Sequence, residues 1–319
     1  MIKVVDCATA EDFLEEMSVS RGRLWTEARR SKYLTHDWIL RGMTRASWPL
    51  QPSAFRPNAF CKLWPGQLEY TSPTPIDQRD HEDAFVMEFA SHADQMGFGI
   101  PNDGPQMRDP RRALPTYDPF EFPPIERMHV YALAQHYGVP TRLLDWTNRP
   151  QVAAYFAVET VARIRAGLIS HAPGKAPGDY VELCGVWAVN RGFLENVGAR
   201  LFSPRTIVVT APRASNPNLS AQGGLFTLVQ PTSSDGDVHP LPNLDDVLRA
   251  NAANVPTEWH RHAPFAWKFT LPPKEARVAL RMLAAEGVHA GTIYPGLAGV
   301  VAALSERRAH QWAQPDSRS

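Results

Sequence analysis

Four runs in the second half of the chain constrain the fold more than any other feature: CGVWAVN at 184–190, RTIVVTAP at 205–212, GGLFTLVQP at 223–231 and FAWKFTLP at 265–272. Each is rich in β-branched and aromatic residues and bounded by Gly, Pro, Asn or Arg, which is the composition of a strand. They follow one another without the regular intervening helices that parallel crossovers need. The expected fold class is therefore α+β, a mixed or antiparallel sheet core with flanking helices, and not a doubly wound parallel sheet.

An earlier run, DWILRGM at 37–43, adds a short strand that ends at Arg41-Gly42. Helical spacing predicts CATAEDFLEEMSV (7–19), with Thr9 as N-cap and Asp12 three residues on. It also predicts DQRDHEDAFVMEFASHADQM (77–96), with Phe85, Phe89 and Met96 near one face and the acids outward. RMHVYALAQHYG is helical up to Gly138, a cheap left-handed terminator. TRLLDW is short and extended, and Thr147 or Asn148 caps a helix that tolerates Pro150 in its first turn and buries Ala153, Phe156, Ala157, Val161 and Ile164. Near the end, PKEARVALRMLAAEGV reads as a helix and AGTIYPGLAGVVAAL as a short strand and a closing helix.

A length of 319 residues suits one main domain with insertions. The expected arrangement is a helical segment over about 1–35, a Pro-rich insertion over about 97–124, and one domain throughout. Lys+Arg and Asp+Glu both number 33, so the overall field gives no sign of a strongly basic nucleic-acid binder or an acidic solvating protein and leaves local patches open. Cys7, Cys61 and Cys184 are odd in number and far apart, neither a disulfide framework nor a zinc spacing. The first residues carry acids where a leader needs a basic end and an apolar run, and no stretch reaches the roughly 18 apolar residues of a membrane span. A cytoplasmic protein without a membrane partner is expected. G-x-S-x-G, H-E-x-x-H, Walker and G-x-G-x-x-G strings are all missing, which disfavours serine hydrolases, zincins, P-loop enzymes and Rossmann dehydrogenases. His260 and His262 have no third ligand near them, and the expectation is a polar loop and no metal.

The candidate site is QHYGVPTRLLDWTNRPQVAAYFA at 135–157. The start of a helix offers free N–H groups to an anion, Arg142 a planar fork for phosphate, and His136, Tyr137 and Trp146 stacking surface. The same residues also suit a purely structural role, in which Asp145 pairs with Arg142, Thr147 caps and the aromatics fill the core.

This stretch closely resembles the signature of the FRG domain, a family named for a Phe-Arg-Gly near its start. WILRGMTRASWPLQPSAFR resembles that opening block, with Leu40 in place of the Phe and Met43 in place of the usual Gln. NPNLSAQGGLFTL resembles the third block. GVHAGTIYPGLAGVVAAL resembles the last, with Gly296 and Ala298 where acids are expected. The blocks run from about Asp37 to Leu304. Their order, an Arg-Gly ending an early strand and then a Thr-bearing turn into an A-x-x-F-A helix, is also similar to the arginine-containing branch of the ADP-ribosyltransferases.

That second similarity implies an ADP-ribosyltransferase-like fold with NAD as substrate. Arg41, beside Gly42, would grip the dinucleotide together with His136, Tyr137, Arg142 and Thr147. Arg41, Asp145, Thr147 and Gln222 would form the catalytic set, with Gln222 standing where the branch has a glutamate. The partners implied are a macromolecular acceptor, protein or nucleic acid, and an inhibitory or antitoxin protein, in a toxin or anti-phage role. The alternative is a binding module that recognises a nucleotide or nucleic acid without turning it over. Arg41 would have a structural role if it paired with an acid of the N-terminal helix, as would Gln222 if it satisfied a strand edge.

Overall fold

The computed structural model describes residues 2–31, 34–57, 59–60, 75–104, 119–173, 175–214, 216–232, 241–255 and 264–311. The described chain runs β1 (Ile2–Asp6), α1 (Ala10–Glu16), α2 (Arg23–Ala28), β2 (Trp38–Met43), α3 (Pro75–Gln95), α4 (Met128–His136), β3 (Leu144–Thr147) and α5 (Pro150–Arg165). It continues through β4 (Cys184–Asn190), β5 (Arg205–Val209), α6 (Pro217–Gln222), β6 (Gly224–Gln230), α7 (Leu244–Ala252), β7 (Ala266–Leu271), α8 (Ala276–Ala285), α9 (Ala290–Ile293) and α10 (Leu297–Gln311). The strands form one seven-stranded sheet in the order β1-β7-β4-β2-β3-β6-β5. Every neighbour pair is antiparallel except β1 with β7. A mixed α+β fold is what the strand runs predict.

Every residue of β4 and β6 is buried, as expected for strands covered on both faces. Alternation then divides two cores. Leu225 and Val229 of β6 join a large cluster with Trp187, Trp267, Ala153 and Leu280, while Phe226 and Leu228 join a smaller one with Val86, Tyr131 and Val130. Thus α5 and α8 cover one side of β6, and α3 and α4 the other.

Local signals in the sequence act as expected at several ends. Thr9 is the N-cap of α1 and its side chain accepts from Asp12 N at 3.2 Å. Gly138, just past α4, adopts φ +95°. Pro150 opens α5, although its N-cap is Arg149 and not Thr147 or Asn148.

Four expectations are corrected. Residues 1–35 are not wholly helical, because Ile2–Asp6 is a strand whose neighbour among the described residues is β7. Ala290–Ile293 is a helical turn and not a strand: His289 accepts from Gly291 N while Thr292 Oγ1 accepts from His289 N, a reciprocal cap that closes it. Phe156 is only partly buried, its ring edge-on to Tyr155 and Tyr294. On α3 the acids do not all face out. Glu82 and Asp83 are buried and paired, and Met96 is the exposed residue. Much of the expected 97–124 insertion, together with His260 and His262, lies outside the described residues.

Candidate functional site

The ladder between β2 and β3 contains one position, Leu40 opposite Thr147, whereas β2 pairs with β4 over six. Beyond that position the backbone groups of β3 need other partners, and Arg41 supplies one. Its Nη1 donates to the Asp145 carbonyl at 2.6 Å and stands 3.6 Å from the Asp145 carboxylate. Arg41 Nε is buried and has no partner. The guanidinium is thus anchored through one nitrogen, with its Nε–Nη2 edge uncommitted to protein. Burial pulls Arg41 below its ordinary pKa, and Asp145 opposes that shift. Arg41 does not pair with the N-terminal helix.

Gly42 does something other than admit a ligand. A Cβ there would stand 2.3 Å from the Ala153 carbonyl oxygen and 2.6 Å from Ala157 N. The glycine lets α5 lie directly on β2, and that packing fixes the strand on which Arg41 sits.

Asp145 is more than half exposed and is held from its other side. Gln135, in the last turn of α4, donates through Nε2 to Asp145 Oδ1 at 2.8 Å, and Thr141 Oγ1 donates to Gln135 Oε1. Thr141 is fixed in turn by Ser53, which exchanges hydrogen bonds with its backbone. A polar chain therefore runs Ser53, Thr141, Gln135, Asp145, Arg41. Arg56 on the same loop is exposed, donates to the Gln51 carbonyl and lowers the Arg41 pKa through charge repulsion. No carboxylate among the described residues pairs with Arg56. Across the β2–β4 ladder Arg41 faces Trp187, whose Nε1 is a second buried donor without a partner.

Thr147 is buried and its hydroxyl has two uses. It donates to the Gln222 carbonyl at 2.5 Å and accepts from Arg149 N at 2.9 Å. It thereby ties the end of β3 to the α6–β6 junction and sets the entry to α5. The Gln222 side chain reaches the Ile293 carbonyl at 3.4 Å through Nε2, which leaves its Oε1 as an acceptor. Arg41 of β2 is hydrogen-bonded to Asp145 of β3, and Thr147 of the same strand to the Gln222 backbone at the end of α6, which brings three blocks of sequence together.

The remaining expected residues divide. His136 lies at the end of α4, where Asn218 Nδ2 donates to its Nε2 at 3.2 Å; burial lowers its pKa while Asp145 raises it. Tyr137 turns toward α3, its ring stacked on Phe89. Trp146 is buried, its Nε1 donating to Thr227 Oγ1 at 2.8 Å, and offers no stacking surface. Arg142 is corrected outright. It is buried, grips Glu82 through Nε at 3.0 Å and Nη2 at 2.8 Å, and stacks 4.3 Å from the Phe122 ring centroid. Its Nε–Nη2 edge is taken up by Glu82, so the partner is Glu82 and not Asp145, and that edge is closed to a phosphate.

Gln135, Thr141 and Arg56 are the residues that sequence reading missed. Gln135 and Thr141 stand inside the quoted stretch, but nothing in their spacing shows that the last turn of α4 reaches β3. Among the described residues no three His, Cys, Asp or Glu side chains converge as a metal site, and no helix is long and apolar enough to cross a membrane.

No curated protein and no solved structure matches the chain. A family model does, over residues 36–165. That span contains β2, α3, α4, β3 and α5, hence the whole chain from Arg41 to Thr147, while Gln222 and the other five strands lie outside it. That match supports an FRG domain over residues 36–165 of this chain.

Proposed function

We propose that the protein is an NAD-dependent ADP-ribosyltransferase acting on a macromolecular acceptor. The observation that carries this reading is Arg41, anchored through Nη1 to β3 while its buried Nε has no partner. A buried donor without a partner costs about 1–3 kcal/mol, and a bound phosphate relieves that cost with a bidentate, charge-assisted contact. Arg56 adds a second cation beside it, and the Trp187 donor adjoins it across the ladder.

In the transfer, the bond between ribose C1′ and the nicotinamide nitrogen breaks, its electron pair leaving with nicotinamide. An acceptor nucleophile attacks C1′ and releases a proton. The centre passes through an oxocarbenium-like state, which anionic or dipolar groups stabilise. Arg41 and Arg56 suit the diphosphate. Asp145 is the exposed carboxylate of the cluster and suits the ribosyl cation or the acceptor's proton. Gln222 can accept a hydrogen bond from a ribose hydroxyl but cannot take a proton, so the role given elsewhere to glutamate falls to Asp145. A toxin or anti-phage role belongs to the same proposal and rests on the family resemblance.

The amide at Gln222 is also what favours a second reading, a site that binds a nucleotide without turnover. The test is incubation of purified protein with adenine-labelled NAD and cell lysate, following nicotinamide release and label in the protein, RNA and DNA fractions. A transferase releases nicotinamide and labels one fraction, and Arg41→Lys, which keeps the charge and the fold, loses most of that activity. NAD bound but intact with every acceptor establishes the binding module. Wild-type turnover in Arg41→Lys removes Arg41 from its assigned role.

A further inference from the structure

Away from the Arg41 cluster, the surface between α3 and the end of α4 forms a groove of about 620 Å³, lined chiefly by Phe85, Phe89, Met96, Phe98 and Tyr137, with Glu88 among them. That volume falls in the range of small-molecule sites. Several of its walls are displayed to solvent: Phe98 is 66 % exposed, Tyr137 62 % and Met96 74 %. The rings of Phe89 and Tyr137 lie 24° from parallel with centroids 6.1 Å apart, too close to admit a group between them, so they act as one broad aromatic wall. The Glu88 carboxylate takes part in no ion pair or hydrogen bond among the described residues; only its backbone carbonyl is used, by His92 Nδ1 at 2.9 Å. No Lys or Arg lines the groove, and the basic side chain that does, His92, has its Nδ1 turned to the Glu88 carbonyl.

These features select the charge of the occupant. An anion meets the negative ring faces and Glu88. A neutral apolar body makes no use of the Glu88 carboxylate, which is exposed at the edge of the groove. An organic ammonium ion satisfies both, since aromatic faces attract cations and alkyl groups on the nitrogen pack against the same rings. We propose that this groove binds an alkylated ammonium cation, with Glu88 as its counter-charge and the Phe89–Tyr137 wall as its principal contact. Tyr137 was expected to serve the NAD site, and here it serves a separate one.

The experiment compares choline with 3,3-dimethylbutan-1-ol, which has the same shape and no charge, by calorimetry and by the methyl resonance of Met96. Choline binds at least about tenfold more tightly than the alcohol, the size of a partly desolvated cation–π contact. Glu88→Gln weakens choline several-fold and leaves the alcohol unchanged, Tyr137→Leu weakens choline more than the alcohol, and Arg41→Lys alters neither. Equal affinity for the two probes, or binding of neither, overturns the proposal. Dependence of choline binding on Arg41 overturns the separateness of the site.

Discussion

At the scale of single residues, the two arginines of the signature region exchange the roles that sequence suggests. Arg142 sits in the stretch that looks built for phosphate, yet its fork is closed on Glu82, which is wholly buried. Removing one member of a buried pair leaves the other charge uncompensated, typically a loss of about 3–5 kcal/mol. Arg142→Ala is therefore expected to lower the denaturant midpoint by an amount of that order, and its folded fraction keeps the ligand affinity of the wild type. Arg41 behaves in the opposite way, with little effect on stability and a large one on the proposed turnover. His136 adds a pH dependence. Its folded-state pKa is depressed by burial, so below about 6.5 the unfolded chain binds the proton more readily than the native one. The stability that neutral His136 contributes is complete above that pH and is lost as pH falls through the folded-state value. Melting temperatures measured from pH 7.5 down to 5.5 should fall, and His136→Gln, whose amide oxygen still accepts from Asn218, should flatten the slope.

At the scale of elements, the site depends on how close α5 can come to β2. Gly42 sets that distance, because its absent Cβ is replaced by helix backbone at 2.3 Å and 2.6 Å, and backbone cannot rotate away. Gly42→Ala is expected to push α5 outward at a cost of about 1–3 kcal/mol or more, in the manner of an overpacked core. Chemical denaturation measures it; an unchanged midpoint would mean that α5 has slack the geometry does not reveal. The elements themselves were largely legible. The runs at 184–190, 205–212, 223–231 and 265–272 became β4 to β7 because their apolar residues are continuous and their ends carry breakers. Illegible were features decided by a distant partner. Ile2–Asp6 is an edge strand with Lys3 and Val4 exposed, and only β7 makes it a strand. Glu82 reads as a surface acid on α3 until Arg142 is placed beside it. Around the candidate site, Arg41, Thr147 and Gln222 were named from motif order and Asp145 from its chemistry, whereas the contacts of Gln135 and Arg56 with that cluster are tertiary and no spacing announces them.

At the scale of the whole molecule, the sheet interleaves early and late sequence. Arg41 lies on a strand whose long ladder is with β4 and whose one-position ladder is with β3, each formed by chain more than a hundred residues downstream. A site assembled this way has no local nucleus of its own and forms with the domain, which suits a clamp that must stay rigid but makes it sensitive to changes anywhere in the sheet. The parallel pair at the sheet edge has the most extended consequence, because among the described strands β1 has no partner until Ala266–Leu271 exists. A ribosome adding about 5–20 residues per second separates Ile2 from Ala266, about 260 residues later, by roughly 13 to 50 seconds. Throughout that interval β1 waits without the strand it pairs with in the folded domain. How long it stays unpaired is set by the tempo of translation.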